Sequence, residues 1–330
     1  MKTFILVACV AALLPGSAWA AAPPASSVKP DSSDLLFAAP TQLDHSGRIV
    51  VAVFIDGKGP FRFLVDTGAD SSMISRALVN ELGLSSNDTS DEQVQGTTGI
   101  EQLPCVTIAD LRIGSIVKHN VHMPVSPSPV MIGLGGILGM AGFGPVRVMV
   151  NFRSNRVEID RSSDRLVQGY LGIQARRTSG GLLMIPVLVG DIPVEAVIDT
   201  GAEVTLGNTA LREALLRQAA KHPEDAKIYG VTKQVSDGGL TTSPWVTVGP
   251  VVIQGLGIVY SDIPIFKIWN LDSRPALIIG MNVLGSVDAL VLDYPRAQVY
   301  LRPSQSGISV DIDQQMSLIK HGLNDDADGG

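Results

Sequence analysis

The chain is poor in aromatic residues, in cysteine and in clustered positive charge. Aromatic residues make up 5% of its 330 residues, whereas it has 34 glycines and 20 prolines, a balance that favours many turns and short strands over long helices. The formal net charge is −7, and no run of lysine or arginine is present, so we expect no nucleic-acid partner. With 45% hydrophobic residues, a chain of this length can bury a large core and predicts two domains or lobes.

The two cysteines, Cys9 and Cys105, do not predict a disulfide framework. Cys9 lies in an N-terminal segment that we expect to be removed, which would leave a single thiol. Cys105 is followed by the apolar Val106 and Ile108, and this setting favours a small core residue over a nucleophile.

The first twenty residues have the pattern of an export signal. Lys2 supplies a positive charge, residues 4–14 form an apolar run, and residues 18–20 (Ala-Trp-Ala) give a small-x-small pattern before a cut near Ala20. The run is too short to span a bilayer, and no other stretch is long and apolar enough. We therefore expect an exported protein, periplasmic or secreted, with no stable membrane anchor. A buried N-terminal helix is the alternative.

After this signal segment of residues 1–20, the composition of the chain indicates a linker, two lobes and a tail. Residues 21–44 are rich in Ala, Pro and Ser and are predicted to be a linker or propeptide. Residues 306–330 end in an acidic sequence and are predicted to be a disordered tail. Between them we predict two related lobes, residues 45–165 and residues 166–305, because the sequence repeats itself there.

The repeat becomes visible when the chain is shifted by 133 positions along itself. Residues 65–70 (Val-Asp-Thr-Gly-Ala-Asp) then align with residues 198–203 (Ile-Asp-Thr-Gly-Ala-Glu). In each copy a strand, a tight turn and a second strand precede the motif, and a short helix is predicted after it, at residues 75–84 and 208–222. One such motif is a weak signal because turns favour Asp and Gly, but two at equivalent positions are hard to explain as turns.

A second correspondence lies later in each half. Residues 137–140 (Ile-Leu-Gly-Met) match residues 278–281 (Ile-Ile-Gly-Met), and a β-prone closing segment follows each of them. The offset here is 141, so the second copy carries a net insertion between its two motifs. Short strands and turns fill the remainder, which predicts a mostly β architecture with short helices.

Acidic residues at equivalent positions of two lobes predict acid–base chemistry. If the lobes pack about a pseudo-two-fold axis, Asp66 and Asp199 face each other. Two carboxylates about 3 Å apart do not both ionise readily, so they share a proton. The singly protonated pair can act as general base and general acid at once on a water between them.

Residues 65–70 and residues 278–284 (Ile-Ile-Gly-Met-Asn-Val-Leu) resemble the two signatures of retropepsin-like aspartic peptidases. The resemblance covers most of residues 46–303 and implies two closed-barrel, acid-protease-type lobes related by a pseudo-two-fold axis within one chain. It implies an aspartic endopeptidase in which Asp66 and Asp199 are catalytic, no cofactor is needed and the substrate is an extended polypeptide. We expect it to be a monomer.

The resemblance also assigns roles to residues around the two acids. Gly139 and Gly280 would lie beneath the active-site loops and support them. The residues that would build and interlock the two loops are Thr67, Gly68, Thr200 and Gly201.

Each half departs from the retropepsin pattern at one position. Retropepsins commonly have an Arg after the supporting Gly, where this chain has Met140 and Met281, so Asp70 and Glu203 lack that partner. These acids either contact substrate backbone amides or lie in solvent. The candidate substrate contacts in the two loops are Ala69, Asp70, Ala202 and Glu203.

A Gly-rich hairpin is expected to cover the cleft in each half. Residues 93–99 are the candidate in the first half, with Gly96 and Thr97 as candidate substrate contacts. In the second half the hairpin is expected near residues 229–231 or near residues 236–239, and the sequence does not decide between these two positions.

The remaining candidates for chemistry are weaker. His119 and His122 are three residues apart and would lie on opposite faces of a strand. With no His, Cys or paired carboxylate recognised nearby, they are expected to be surface residues, and no metal is expected. The Pro-rich residues 124–129 are predicted to be a rigid surface loop.

Two alternatives to this interpretation remain. The chain could be a catalytically silent, two-lobed peptide-binding or structural protein, although the presence of both acids within intact motifs favours catalysis. The lobes could also pair between chains rather than within one.

Overall fold

The computed structural model describes residues 2–5, 9–10, 35–44, 47–85, 91–162, 169–178, 180–216, 223–249 and 251–304. Most of the predicted linker and all of the predicted acidic tail lie outside these residues. The described chain is mostly β and forms two lobes with few short helices, which confirms the predicted fold class.

Strands account for most of the elements. The first half contains β1 (Lys2–Ile5), β2 (Cys9–Val10), β3 (Leu35–Pro40), β4 (Gln42–Leu43), β5 (Ile49–Ile55), β6 (Lys58–Asp66), β7 (Met73–Ser75), β8 (Glu92–Gly96), β9 (Gly99–Leu103), β10 (Cys105–Ile113), β11 (Ile116–Ser126), β12 (Gly136–Gly139), β13 (Val146–Asn151) and β14 (Arg156–Arg161). The second half contains β15 (Leu171–Gln174), β16 (Arg176–Arg177), β17 (Leu183–Val189), β18 (Ile192–Ile198), β19 (Leu206–Gly207), β20 (Glu224–Tyr229), β21 (Val235–Thr242), β22 (Trp245–Val248), β23 (Val251–Gln254), β24 (Gly257–Tyr260), β25 (Ala276–Ile279), β26 (Val287–Asp293) and β27 (Gln298–Pro303).

The helices are short. The α-helices are α1 (Arg76–Leu82), α2 (Thr209–Leu216), α3 (Pro264–Ile268) and α4 (Met281–Leu284), and 3₁₀ helices span Pro129–Met131 and Met140–Phe143. Helix α1 begins after Ser75, whose hydroxyl accepts from Leu78 N at 3.2 Å. Helix α2 begins after Asn208, whose Oδ1 accepts from Leu211 N at 2.9 Å, so Asn208 caps this helix. Of the predicted helix 208–222, residues 217–222 lie outside the described residues.

The first lobe is built around a closed barrel. Its strands follow the order β10-β11-β7-β12-β6-β5, and the ring closes because β10 also pairs with β5, with Leu111 opposite Ile55. In β5, Val51, Val53 and Ile55 are all buried, which is the period of two expected when one face of a strand packs on a core. This barrel fixes the strand that ends at Asp66.

The second lobe repeats the arrangement that positions the acid. Strand β6 pairs in parallel with β12, and β18 pairs in parallel with β25. Gly139 lies opposite Asp66 in the first pair, and Ile279 lies opposite Ile198 in the second. The two Asp-Thr-Gly loops therefore leave equivalent strands, as the sequence repeat predicts.

Both halves contribute to a six-stranded sheet with the order β15-β27-β26-β13-β14-β3. Its central strands, β13 and β26, are the closing segments of the two repeats and pair antiparallel, with Val148 opposite Leu292. A buried ion pair crosses the same junction, because Arg147 Nη2 lies 2.9 Å from Asp293 Oδ2. An antiparallel pair of equivalent strands is the arrangement that a pseudo-two-fold axis requires.

The N-terminal segment contributes two strands to the edges of the second and first halves. Strand β1 pairs in parallel with β20, with Lys2 opposite Ala226, and β2 pairs antiparallel with β8, with Cys9 opposite Gly96. The backbone of these residues is therefore extended rather than helical. No helix in the described part of the chain has both the length and the apolar character that a membrane crossing requires.

Candidate active site

Asp66 and Asp199 lie at the ends of equivalent strands and meet at the junction of the lobes. Asp66 ends β6, and Asp199 follows β18 and continues its pairing, since Asp199 N donates to Ile279 O at 3.0 Å. Neither side chain is exposed. A Cβ on Gly68 would lie 2.3 Å from Asp199 Cγ, so only a glycine lets the first loop approach the second acid so closely.

Each carboxylate is held through one oxygen by its own loop. Gly68 N donates to Asp66 Oδ1 at 2.8 Å, and Gly201 N donates to Asp199 Oδ1 at the same distance. Ala202 N also donates to Asp199 Oδ1, at 3.2 Å. The Oδ2 atoms of both acids are buried and accept no hydrogen bond from the backbone of the described residues. This leaves one oxygen of each acid for the other acid and for a reacting molecule.

The electrostatics of the pair favour retention of a proton. Burial raises the pKa of Asp66 well above its usual value, and the adjacent Asp199 carboxylate raises it further. Burial also raises the pKa of Asp199, while hydrogen bonds from Asp66, Gly201 and Ala202 act in the opposite direction. These directions favour one proton shared between Asp66 and Asp199. The two groups titrate as one coupled pair.

Thr67 and Thr200 interlock the two loops by reciprocal hydrogen bonds. Thr67 Oγ1 donates to Ile198 O at 3.0 Å and accepts from Thr200 N at 3.0 Å. Thr200 Oγ1 donates to Val65 O at 2.7 Å and accepts from Thr67 N at 3.1 Å. Both threonines are buried, so each loop fixes the position of the other.

The supporting glycines lie directly beneath the loops. A Cβ on Gly139 would lie 2.4 Å from Ser71 O, and a Cβ on Gly280 would lie 2.7 Å from the carbonyl carbon of Val204. Ser71 and Val204 are equivalent residues of the repeat, separated by the same 133 positions as the two acids. Neither position has room for a side chain, which explains why glycine occurs in both halves.

The residues after the two Gly positions belong to the loops themselves. Ala69 and Ala202 are fully buried, and their carbonyl oxygens accept from Ala141 N at 3.4 Å and Met281 N at 2.8 Å. Asp70 and Glu203 are half-buried, and each has an interaction partner within the chain.

Each half has a β-hairpin where the sequence predicts one. The hairpin predicted at residues 93–99 is formed by β8 and β9, and its tip residues Thr97 and Thr98 are buried. In the second half β20 and β21 form the hairpin, so residues 229–231 reach its tip. The alternative at residues 236–239 is wrong as a tip, because these residues lie inside β21 and pair with β20.

The two hairpin tips contact each other. Thr98 Oγ1 lies 3.3 Å from Thr232 Oγ1, and these residues hold nearly equivalent positions in the repeat. Lys233 N donates to Glu101 Oε2 at 2.9 Å, and Gln234 Nε2 donates to Ile100 O at 3.2 Å. These contacts join the hairpin of the first half to the hairpin of the second half.

Ser126 and Ser128 add a second set of contacts to the second hairpin. Ser126 Oγ donates to Val231 O at 2.8 Å, and Ser128 Oγ donates to Gly230 O at 2.6 Å. Both serines are buried, so the prediction of a surface loop at residues 124–129 is wrong at these positions. A Ser-Pro-Ser-Pro sequence carries no signal of a contact about 100 residues away, since only the fold creates it.

Arg48 and Tyr294 both interact electrostatically with the two acids, and no sequence pattern marks either residue. Arg48 is buried and binds the Asp44 carboxylate, with Nη2 at 2.7 Å and Nε at 2.8 Å. Its positive charge lowers the pKa of both Asp66 and Asp199 against the effect of burial. The buried Tyr294 hydroxyl has a raised pKa, caused by burial and then by the two acids. The equivalent of Arg48 in the repeat is Gly181, so no repeat signal marks it.

The two histidines of β11 have different surroundings. His119 Nδ1 lies 2.6 Å from Asp110 Oδ1 on the exposed surface. His122 instead lies beside Glu92 and Cys105, and the ligand atoms of these three residues are all within 4.8 Å of one another. The expectation that no Cys or carboxylate lies near His122 is therefore wrong.

Comparison with known protein families agrees with this geometry. A family model described as aspartyl protease matches residues 51–141 and, separately, residues 185–283, together more than half of the chain. Each match contains one Asp-Thr-Gly-Ala loop and its supporting glycine. The chain matches none of the curated proteins.

Proposed function

The chain belongs to the retropepsin-like aspartyl protease family, and from this premise we propose that it is an exported aspartic endopeptidase that hydrolyses peptide bonds in extended polypeptides. The observation that carries the proposal is the buried pair Asp66 and Asp199, held face to face by the reciprocal contacts of Thr67 and Thr200. Aspartic proteases are the standard example of two carboxyl groups that share one proton for acid–base chemistry.

In the proposed reaction Asp199 starts as the general base and Asp66 as the general acid. Asp199 takes a proton from the attacking water, while Asp66 gives its proton to the oxygen of the scissile carbonyl. The resulting tetrahedral diol collapses when a proton moves to the amide nitrogen and the carbon–nitrogen bond breaks. No acyl-enzyme forms, and the pair returns to its singly protonated state when the products leave.

The edges of both hairpins support an extended polypeptide as the substrate. Residues Lys2–Ile5 pair with β20 of the second hairpin, and residues Cys9–Val10 pair with β8 of the first. Both hairpins therefore accept a further strand through backbone hydrogen bonds, which is how extended peptides bind to sheet edges.

The burial of the acids implies that the hairpins open and close during turnover. Asp66 and Asp199 are both unexposed, and the tips of the two hairpins contact each other. A closed site excludes bulk water from the reacting groups and strengthens their electrostatic interactions. Substrate entry then requires separation of the tip contacts.

A digest of a peptide library tests the proposed activity. The purified protein and its Asp66→Asn variant are incubated with the library from acid to neutral pH, and the products are identified by mass spectrometry. We expect cleavage by the unchanged protein and loss of cleavage by the variant. Identical product profiles would overturn the proposal, and peptide binding without cleavage by the unchanged protein would favour the silent peptide-binding alternative.

Export is tested separately by the N-terminus of the mature protein. The signal pattern of residues 1–20 leads us to propose removal after Ala20 and delivery to the periplasm or the medium. Expression of the full chain in a bacterium, fractionation and mass spectrometry of the purified product should find Ala21 at the N-terminus. An uncleaved chain retained in the cytoplasm would contradict this part of the proposal.

A further inference from the structure

Three side chains with metal-binding chemistry meet at the base of the first hairpin. Glu92 begins β8, Cys105 begins β10 and His122 lies within β11. Their ligand atoms are all within 4.8 Å of one another. None of the three residues belongs to the active-site loops.

The strand register explains how residues of two sheets come together here. Thr107 lies opposite His122 in the β10–β11 pair, and Cys105, two residues before Thr107, points to the same face. In the β8–β9 pair Glu92 lies opposite Leu103, which precedes Cys105 by two residues. The group thus forms where the hairpin strand β9 continues into the barrel strand β10.

The separations within the group are close to those of a tetrahedral zinc site. Cys105 Sγ lies 3.6 Å from Glu92 Oε2, and His122 Nε2 lies 3.9 Å from the same oxygen. Ligand atoms around zinc are about 3.5 Å apart, given bond lengths of about 2.0–2.3 Å. Small side-chain rotations would therefore bring all three groups to bonding distance of one ion.

The three residues differ in burial, so a metal ion would have one ligand shielded from water and a path of entry from solvent. Cys105 is fully buried, whereas 42% of the His122 side chain and 40% of the Glu92 side chain are exposed. The Cys105 thiol donates to Glu92 Oε2 at 3.6 Å. A divalent cation would form a bond to sulfur as the sulfur–hydrogen bond breaks, and the proton would leave to solvent.

We propose that Glu92, Cys105 and His122 form a binding site for Zn²⁺, with water as the fourth ligand. A mixed set of sulfur, nitrogen and oxygen donors suits zinc, whereas Mg²⁺ and Ca²⁺ prefer oxygen donors alone. Three protein ligands on an exposed edge leave a coordination position open to solvent. The site differs from the catalytic acids in its residues, its elements and its chemistry.

A bound ion would tie together the two ends of the first hairpin. Glu92 lies at the entry of the hairpin, Cys105 just beyond its exit, and His122 on the neighbouring barrel strand. One ion joining all three would restrain the hairpin at its base. Zinc is therefore expected to slow hairpin opening without contact with the acids.

Cobalt substitution and zinc titration test the site directly. The full chain carrying Cys9→Ser, in which Cys105 is the only thiol, is freed of metal with a chelator and titrated with Co²⁺ and then Zn²⁺. We expect one equivalent of Co²⁺ to produce a thiolate-to-cobalt charge-transfer absorption that Zn²⁺ abolishes. We expect Cys105→Ser to remove the absorption and His122→Gln to weaken Zn²⁺ binding by at least about 100-fold.

His119→Gln provides the matched control, because His119 lies on the same strand and binds Asp110 instead. This variant should bind both metals as tightly as its parent. His122→Gln changes a partly exposed side chain, so it tests the site even if Cys105→Ser fails to fold. Absence of the absorption in the parent, or equal Zn²⁺ affinity in the His122→Gln and His119→Gln variants, would overturn the proposal.

Amide hydrogen exchange tests the consequence for the hairpin. Zn²⁺ should slow exchange in β8 and β9 relative to the metal-free chain, with β20 and β21 of the second hairpin as the internal reference. Equal effects on both hairpins, or no effect on either, would contradict the restraint of the first hairpin by zinc.

Discussion

At the scale of single residues, the central feature is that two acids are held where one of them resists ionisation. Asp66 and Asp199 are buried, and burial is the largest cause of the raised pKa of each. The loops compensate by hydrogen bonds to one oxygen of each carboxylate. The protein thus carries a cost in stability that it would not carry with uncharged residues at these positions.

This cost predicts that Asp66→Asn stabilises the protein in a pH-dependent way. The pKa of Asp66 is raised in the folded state, so its contribution to stability is fully present below the unfolded pKa of about 3.9 and is lost as the pH rises through the folded pKa. The variant should therefore match the wild-type protein near pH ~3 and exceed it by at least about 1 kcal/mol at neutral pH. Denaturant unfolding across this range measures the difference.

Asp225→Asn is the control for this prediction, because Asp225 is exposed on β20. The stability difference between wild type and Asp66→Asn could instead be constant with pH, or the variant could be less stable at neutral pH. Either result would show that folding does not raise the pKa of the Asp66 carboxyl group.

Arg48 provides a second prediction at this scale. Its charge lowers the pKa of both acids, so the double variant Asp44→Asn/Arg48→Met should raise both. Changing the pair together avoids leaving one buried charge without its partner. We expect both limbs of the pH profile of kcat/KM to shift to higher pH.

The pH profile of Arg62→Met, which alters an exposed arginine of β6, should remain that of the wild-type protein. If the pH profile of the double variant coincided with that of the wild-type protein, Arg48 would not affect the pKa values of the two acids.

At the scale of elements, the loops and hairpins depend on contacts between distant segments. The supporting glycines illustrate this for the loops, because each touches the backbone of the chain that follows its acid. Gly139→Ala and Gly280→Ala would place a methyl group less than 3 Å from Ser71 and Val204 backbone atoms. We expect each variant to lose about 1–3 kcal/mol in unfolding free energy and most of its activity.

Gly257→Ala is the matched control, since its added Cβ would lie 3.5 Å from Leu240 Cδ1, an ordinary contact. Thermal unfolding and peptide cleavage measure the three variants side by side. Retained stability and activity in Gly139→Ala and Gly280→Ala would mean that the segments beneath the loops do not position the acids.

The closed hairpins give a further prediction. Ser126 and Ser128 donate to Val231 O and Gly230 O, so Ser126→Ala/Ser128→Ala would leave two carbonyl groups without these donors. We expect faster amide exchange in residues 229–235, a changed KM and a stability loss of about 2 kcal/mol. Ser154→Ala, at an exposed turn position, is the control. Unchanged exchange in the double variant would show that these serines do not hold the hairpin.

The elements that sequence patterns predicted are those with local signals. Ser75 and Asn208 are polar residues that precede apolar periodic segments, and both cap their helices. The two Asp-Thr-Gly loops follow apolar strands. The contacts of Ser128 with Gly230, and the grouping of Glu92 with Cys105 and His122, depend on how strands return to one another. Such contacts between distant residues leave no periodic pattern in one sequence.

At the scale of the whole molecule, one chain supplies both halves of the site. The central sheet pairs β13 of the first half with β26 of the second, and Arg147 binds Asp293 across that junction. The halves also interlock at Thr67 and Thr200 and meet at the hairpin tips. These contacts predict one complete active site for each monomer.

The most direct test of this account is the cleavage rate of one peptide by four samples: the wild-type protein, Asp66→Asn, Asp199→Asn and an equimolar mixture of the two variants. We expect each variant to lose at least about 1,000-fold in kcat/KM and the mixture to recover nothing, because no monomer in it holds both acids. Wild-type rates in either single variant would contradict catalysis by the pair. Recovery of activity in the mixture would contradict a site within one chain.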